Sequence, residues 1–322
     1  MTTGTVLALA GGVGGAKLAD GLAALLGERL GVIVNTGDDF EHVGLFISPD
    51  LDTVMYTLAG IANPETGWGI AGESWAFLEQ VVRLGAPGWF RLGDRDLATH
   101  VLRGERLRRG ERLSTITADL CRRLGIAARV MPMSDAPVRT IVETAAGPLP
   151  FQDYFVRLRC EVPVTGFAFT GIEQARPSEE ITAALDAGDL AAIILCPSNP
   201  YVSVDPILAV PTLKDRLRRR GVPIVAVSPI IGGAAVKGPA AKMMRELKLD
   251  PSALAVAEHY AGFIHGMLID EADAALAPRI EALGMVVQVA PTLMKTADDR
   301  RAVARRALAL AEVVSVRRSR QP

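Results

Sequence analysis

The chain has 322 residues, 49% of them hydrophobic and 5% aromatic, with 35 basic residues against 36 acidic. This length supports a large α/β domain with a sizeable buried core. The balanced charge and sparse aromatics exclude the basic face of a nucleic-acid or membrane-surface binder and its stacking platforms.

The mean hydropathy of +0.26 favours a buried parallel sheet, whose strands are apolar on both faces. The uncharged run from Gly221 to Val236 is interrupted by Pro223, Pro229 and a glycine pair, and it falls short of the roughly 20 apolar residues a spanning helix needs. The N-terminal stretch has neither a basic n-region nor a cleavage site. Cys121, Cys160 and Cys196 are an odd, widely spaced trio, which predicts reduced thiols and a cytoplasmic protein.

In chain order, short apolar runs at 5–10, 31–35, 127–132, 190–196, 222–228, 263–269 and 285–290 predict strands. Amphipathic stretches at 16–27, 73–84, 114–124, 178–186, 206–219, 239–247, 270–283 and 297–313 predict helices. The alternation is that of βαβ units, and it predicts an α/β, Rossmann-like parallel sheet with helices on both faces. We read one domain, with a core of 1–51 and 125–315 and a mainly helical insertion over about 52–124. Residues 138–170 predict a hairpin attached to the core, and 317–322 (RRSRQP) a frayed end.

The polar loops that follow the strands (GGVGG, NTGDD, MSD, PSNP, SPIIGG and IDE) would lie along one edge of such a sheet. Ligands of open α/β sheets bind in the crevice outside that edge.

Gly11, Gly12, Gly14 and Gly15 let an anion approach bare backbone amides, and a helix starting near Ala16 would point its positive end there. The loop is neither G-x-G-x-x-G nor a Walker A motif, and a ligand-free tight turn is the competing reading. Lys17 either steadies a phosphate or lies on a wet helix face. Asp38 and Asp39 in NTGDDF suit a divalent cation shared with phosphates, unless they only form a turn. Asp50 and Asp52 precede an apolar helix, which either could cap.

In LGDRDLATH, surface ion pairing of Asp94, Arg95 and Asp96 competes with a role in binding. Ser198 and Asn199 sit on a proline-bounded loop, and Gly232 and Gly233 open a second glycine loop with Lys237 available to an anion. Two anion loops on one edge suggest a ligand with two phosphates, or a phosphate and a base. Arg103, Arg106, Arg108 and Arg109 read as a solvated charge run. Trp68, Trp75 and Trp89 read as core in preference to flanking a flat aromatic ligand. A zinc site and a Ser–His catalytic pair find no support.

The ordered set GGVGGAKL, NTGDD, SPDLDTVMYTLAG, GWG, LGDRDLATH, MPMSD, FQDYFV, PSNP and SPIIGGAAVKGPA resembles the 2-phospho-L-lactate transferase family over about residues 7–242, with TLMKT beyond. The resemblance implies a Mg2+-dependent step of coenzyme F-420 synthesis. In it, the deazaflavin Fo attacks a guanosine-diphosphate-linked three-carbon acid and GMP leaves. Such chemistry needs positioning and charge neutralisation more than a covalent nucleophile.

By motif, Gly12, Gly14, Gly15, Ser198, Asn199, Gly232 and Gly233 would hold the nucleotide phosphates, and Asp38 and Asp39 the Mg2+. Asp52 and Arg95 would contact Fo. Asp38, Asp39 and Asp52 are the catalytic candidates, with the proton acceptor open. The acid itself (phospholactate, phosphoenolpyruvate or 3-phosphoglycerate) also stays open, and the family likeness implies a homodimer. The competing functions are a NAD-dependent oxidoreductase, which leaves PSNP and SPIIGG unexplained, and a non-catalytic nucleotide sensor.

Overall fold

The computed structural model describes residues 4–320. Its centre is a seven-stranded, wholly parallel sheet of β1 (Thr5–Ala10), β2 (Leu30–Val34), β3 (Arg129–Pro132), β4 (Leu190–Leu195), β5 (Ile224–Val227), β6 (Gly266–Ile269) and β7 (Val286–Val289), in spatial order 7-6-5-4-1-2-3. β1 is buried along its whole length, because both its faces are covered. Leu7 and Leu9 join one apolar layer, and Val6, Ala8 and Ala10 the other. The order reverses between β1 and β4, and such a switch point opens a crevice at the carboxyl ends of the strands.

One layer holds α1 (Gly12–Leu26), α2 (Pro49–Leu58) and the C-terminal helix Ala297–Ser319. Small residues let α1 and the C-terminal helix approach closely: a Cβ on Gly21 would lie 2.2 Å from the Arg300 carbonyl oxygen. The other layer holds the helices of 179–259 and a three-stranded antiparallel sheet, Arg139–Thr144 between Leu149–Pro150 and Val164–Thr170. The hairpin expected over 138–170 is that sheet, interrupted by a π-helical turn at Asp153–Arg157.

Between β2 and β3 the chain forms a hairpin of Phe40–His42 with Leu45–Ile47, then α2, α3 (Ala76–Arg83), α4 (Asp94–Arg108) and α5 (Leu113–Arg123). α2 and α5 contribute Leu51, Val54, Met55, Ile116 and Leu120 to the core beside α1.

The helix expected at 206–219 is two helices, parted where Thr212 takes φ +70°. The expected frayed tail is instead the end of a 23-residue helix. There the Arg318 guanidinium donates to the Val222 carbonyl and lies 2.8 Å from His265 Nε2. Gln321 and Pro322 lie outside the described residues. All three cysteines are free and buried. Among the described residues no helix is long and apolar enough to cross a membrane.

Candidate active site

A cleft of about 750 Å3 opens at the carboxyl edge of the sheet, by the switch point. Its floor is the junction of the β1 and β4 loops. The Gly11 amide donates to Ser198 Oγ at 3.0 Å, and the Ser198 hydroxyl donates to the Gly11 carbonyl at 2.8 Å. Ser198 therefore locks two loops together.

Gly14 and Gly15 serve the same junction. A Cβ on Gly14 would lie 2.3 Å from the Pro197 carbonyl, and one on Gly15 would lie 2.5 Å from Ser198 Oγ. Gly12 is the residue of this loop with positive φ (+58°). It starts α1 four residues earlier than expected, and its amide donates to the Asp50 carboxylate. The glycines thus bring the helix terminus against the neighbouring loop, and Gly12 and Gly14 line the cleft.

Two lysines face this end. Lys17 Nζ donates to the Met294 carbonyl at 2.9 Å, and Lys237 Nζ to the Thr66 carbonyl at 2.6 Å. Burial and the charges of Arg300 and Lys237 hold the Lys17 ammonium below its ordinary pKa. Cations gathered at a helix N-terminus favour an anion. Asn199 lines the cleft, and its Oδ1 accepts from the Tyr201 amide. Gly232 and Gly233 are set apart from the lining. The Gly232 amide is spent on Asp273 Oδ2 at 3.1 Å, so in this loop Lys237 and Gly238, not the glycine pair, reach the cleft.

The carboxylates divide differently from the sequence pattern. Asp38 lines the cleft; Asp39 turns away to accept from the Ser48 hydroxyl at 2.6 Å. The partner of Asp38 is Asp50, which sits in the first turn of α2 and also lines the cleft. Asn35 Nδ2 donates to Asp50 Oδ2 at 3.0 Å. Burial and then the Asp50 charge push the Asp38 carboxyl well above its usual range, and burial lifts Asp50 to about 6. Burial also lifts Asp39 to about 8, against the Ser48 hydrogen bond and two arginines.

Asp38 Oδ1 is buried without a hydrogen-bond partner among the described residues. An orphaned oxygen beside a second carboxylate fits a hard divalent cation, which takes oxygen ligands. Asp38 with Asp50 therefore replaces the expected Asp38–Asp39 pair as the candidate ligand set.

Asp52 and Asp96 belong to a second group of acids. Asp52 receives both terminal nitrogens of Arg103, Nη1 to Oδ2 at 3.0 Å and Nη2 to Oδ1. His100 stands between the acids, Nε2 3.2 Å from Asp96 and Nδ1 3.7 Å from Asp52, and the Tyr56 hydroxyl donates to Asp96 at 2.6 Å. Asp52, Asp96 and His100 are close enough together to suggest a metal cluster. However, the Arg103 guanidinium already neutralises Asp52 and occupies both its oxygens.

Arg103, 0% exposed, is thus no part of a solvated charge run. Asp96, His100 and Arg103 recur at i, i+4 and i+7 on α4, a periodicity that marks one helix face and could have exposed the group in the sequence. Arg95 does not reach the cleft lining. Its guanidinium donates to the Ala71 carbonyl at 2.9 Å while its amide caps onto Glu73. Asp94 caps α3 through the Ala76 and Phe77 amides, which is neither the surface ion pair nor the binding role weighed for it.

Part of the lining is aromatic. Trp68, Trp89 and Phe90 line the cleft, and Trp68 is 42% exposed. Trp89 stacks on Phe40 and meets His42 edge-on with centroids 5.0 Å apart. Trp75 carries Arg91 4.1 Å above its ring. The tryptophans are therefore not core residues, and two of them offer flat apolar surface to a ligand.

The family model described as 2-phospho-L-lactate transferase CofD matches residues 6–304. A phosphoenolpyruvate transferase of Streptomyces griseus is 42% identical over 316 residues, covering 96% of this chain and 99% of that protein. A 2-phospho-L-lactate transferase of Methanosarcina acetivorans is 38% identical over 310 residues, covering 96% and 100%. A solved Bacillus halodurans protein, BH3568, shares the fold with a TM-score of 0.61 at 16% identity, covering 95% of this chain and 99% of that one. The family is one of transferases, and the oxidoreductase reading falls away. With a match over nearly its whole length, this chain belongs to the 2-phospho-L-lactate transferase family.

Proposed function

We propose that the protein transfers the phosphorylated three-carbon acid of a guanosine-diphosphate-linked donor to the terminal ribityl hydroxyl of the deazaflavin Fo, in coenzyme F-420 synthesis. The hydroxyl oxygen bonds to the phosphorus that bears the acid, the P–O–P bridge breaks, GMP leaves and the hydroxyl proton is released.

The observation that carries this reading is a single cleft with two unlike sets of lining groups. The first turn of α1, Lys17, Lys237, Asp38 and Asp50 share it with the rings of Trp68, Trp89 and Phe90. The first set suits a diphosphate and the second a flat tricycle, so donor and acceptor would meet in one cavity.

Asp38 and Asp50 would hold Mg2+, which when bound supplies charge neutralisation on the diphosphate under attack, worth several kcal/mol. The α1 terminus and the two lysines orient the donor. The Asp52–Arg103–His100–Asp96 group fixes α4 against α2 and so shapes the acceptor side. Holding the two reactants in line accounts for much of the acceleration such a site can give.

The Streptomyces relatives named phosphoenolpyruvate transferase are 42–43% identical to this chain, and this supports phosphoenolpyruvate as the donor's acid. Mass spectrometry tests both parts, using Fo, Mg2+ and guanylylated phosphoenolpyruvate, phospholactate or 3-phosphoglycerate in turn. The expected result is GMP with the enolpyruvyl phosphodiester of Fo as the dominant product. A different preferred acid would overturn the donor assignment alone. GDP binding without a Fo adduct from any donor would leave a nucleotide sensor instead.

A further inference from the structure

One stretch of the cleft lining is the segment 151–159, from which Phe151, Gln152, Phe155, Val156 and Arg159 line the cavity. Its backbone is unusual. A π-helical turn over Asp153–Arg157 is followed by two successive non-glycine residues in the left-handed region, Arg159 at φ +49° and Cys160 at φ +59°. Side chains seldom adopt that region, and such outliers persist where the surrounding structure enforces them, often at functional sites.

Here the enforcement is visible. The Phe151 and Phe155 rings stack with centroids 5.4 Å apart, the Leu158 amide donates to the Asp153 carbonyl, and the Cys160 amide donates to the Tyr154 carbonyl at 2.9 Å. Had the helix continued regularly through 159, this side chain would leave along another direction. The left-handed pair sends Arg159 to the cleft.

The segment is also tied to the candidate metal end. Gln152, buried, donates through Nε2 to the Asp38 main-chain carbonyl at 3.2 Å. The wall that carries Arg159 is therefore fastened to the loop that carries Asp38. The nearby Arg157 is spent on Asp153 at 2.6 Å, whereas the Arg159 guanidinium has no hydrogen-bond or ion-pair partner among the described residues. The other cleft cations are engaged: Lys17 and Lys237 on carbonyls at the nucleotide end, and Arg91 over Trp75. Arg159 is exposed to solvent and lines the cleft, so its guanidinium is free to meet an anionic group of a ligand.

We infer that Arg159 reads the carboxylate of the donor's three-carbon acid, an assignment that rests on the proposed function. The acid hangs from the phosphorus under attack, beside Asp38, and its carboxylate is an anion that GDP lacks. A planar guanidinium matches a carboxylate with two parallel N–H donors, which a lysine ammonium cannot do. Arg159 is a binding and positioning residue, with no part in proton transfer.

Calorimetric titration with guanylylated phosphoenolpyruvate, its carboxamide analogue and GDP, each with Mg2+, tests the assignment on the wild type, Arg159→Gln and Arg159→Lys. Thermal melts establish that the variants fold. Arg159→Gln should weaken the carboxylate donor roughly 10- to 100-fold, as expected for lost charge-assisted hydrogen bonds, while leaving GDP and the carboxamide within about twofold. Arg159→Lys should fall between, and if the glutamine variant fails to fold, the lysine variant carries the same comparison. Unchanged donor affinity, or an equal loss for GDP, overturns the Arg159 assignment and spares the function. A wild type that binds neither donor nor GDP overturns both.

Discussion

Replacing Arg103 by Met removes the positive half of an ion pair whose arginine is fully buried and whose carboxylate is nearly so. Arg103 is 0% exposed and Asp52 is 5% exposed, and the two share a two-pronged contact between α4 and α2. Methionine fills much of the volume, so cavity formation adds little, and the cost is that of an uncompensated buried carboxylate. Each hydrogen bond to a charged group is worth about 1.5–3 kcal/mol, and breaking one side of a buried pair typically costs about 3–5 kcal/mol. We therefore expect Arg103→Met to destabilise the protein by about 3–5 kcal/mol. The double variant with Asp52→Asn should recover at least half of that loss, because the stranded charge is gone. Urea denaturation followed by tryptophan fluorescence and circular dichroism measures this, with coincident transitions required. A loss below about 1 kcal/mol, the value of a solvent-exposed pair, or a double variant no better than the single, would mean that no buried charge is stranded at Asp52.

Asp38→Asn and Asp50→Asn should each lower the rate of GMP release by about 100-fold or more and shift the Mg2+ requirement upward. Asp39→Asn, whose carboxyl faces Ser48, should keep the wild-type Mg2+ dependence. Trp89→Ala should weaken Fo by roughly tenfold, from a stacking contact of about 1–3 kcal/mol, with GDP unaffected in parallel titrations. Burial, with help from Arg318, pushes the His265 imidazole down to about 4 from 6.5. Between those values the unfolded chain binds more protons than the folded one, so stability is full above about pH 6.5 and declines toward pH 4. His265→Gln should flatten that decline in thermal melts across the range; an unchanged slope would remove His265 as its source.

What the sequence carried depended on how local the determinant is. The parallel sheet was legible because strands buried on both faces read as unbroken apolar runs, and all seven lie within a few residues of the observed bounds. The glycine loop read correctly as a helix terminus on the cleft. Its glycines, however, answer to a contact with Pro197 and Ser198, more than 180 residues away, that no local pattern encodes.

Asp38 and Asp39 are adjacent in sequence, but the turn closed by the Asp39 amide on the Thr36 carbonyl leaves Asp39 on Ser48 and Asp38 in the cleft, where its spatial partner comes from α2. Arg103 looked like one of a run of surface arginines because its burial follows from Asp52, 51 residues earlier. The tryptophans misled through composition: large aromatics are mostly buried, whereas Trp68 and Trp89 line the cleft and Trp75 lies beneath Arg91. Arg159 left no trace in the pattern at all, since its direction depends on the left-handed backbone after a π-turn.

The most direct measurement is chromatographic detection of GMP from guanylylated phosphoenolpyruvate with the purified protein and Mg2+, with and without Fo. GMP and Fo adduct should form stoichiometrically when Fo is present, with GMP near the uncatalysed background when it is absent. GMP released equally without Fo would mean that water is the acceptor and that the aromatic wall serves another ligand, which would contradict the central claim.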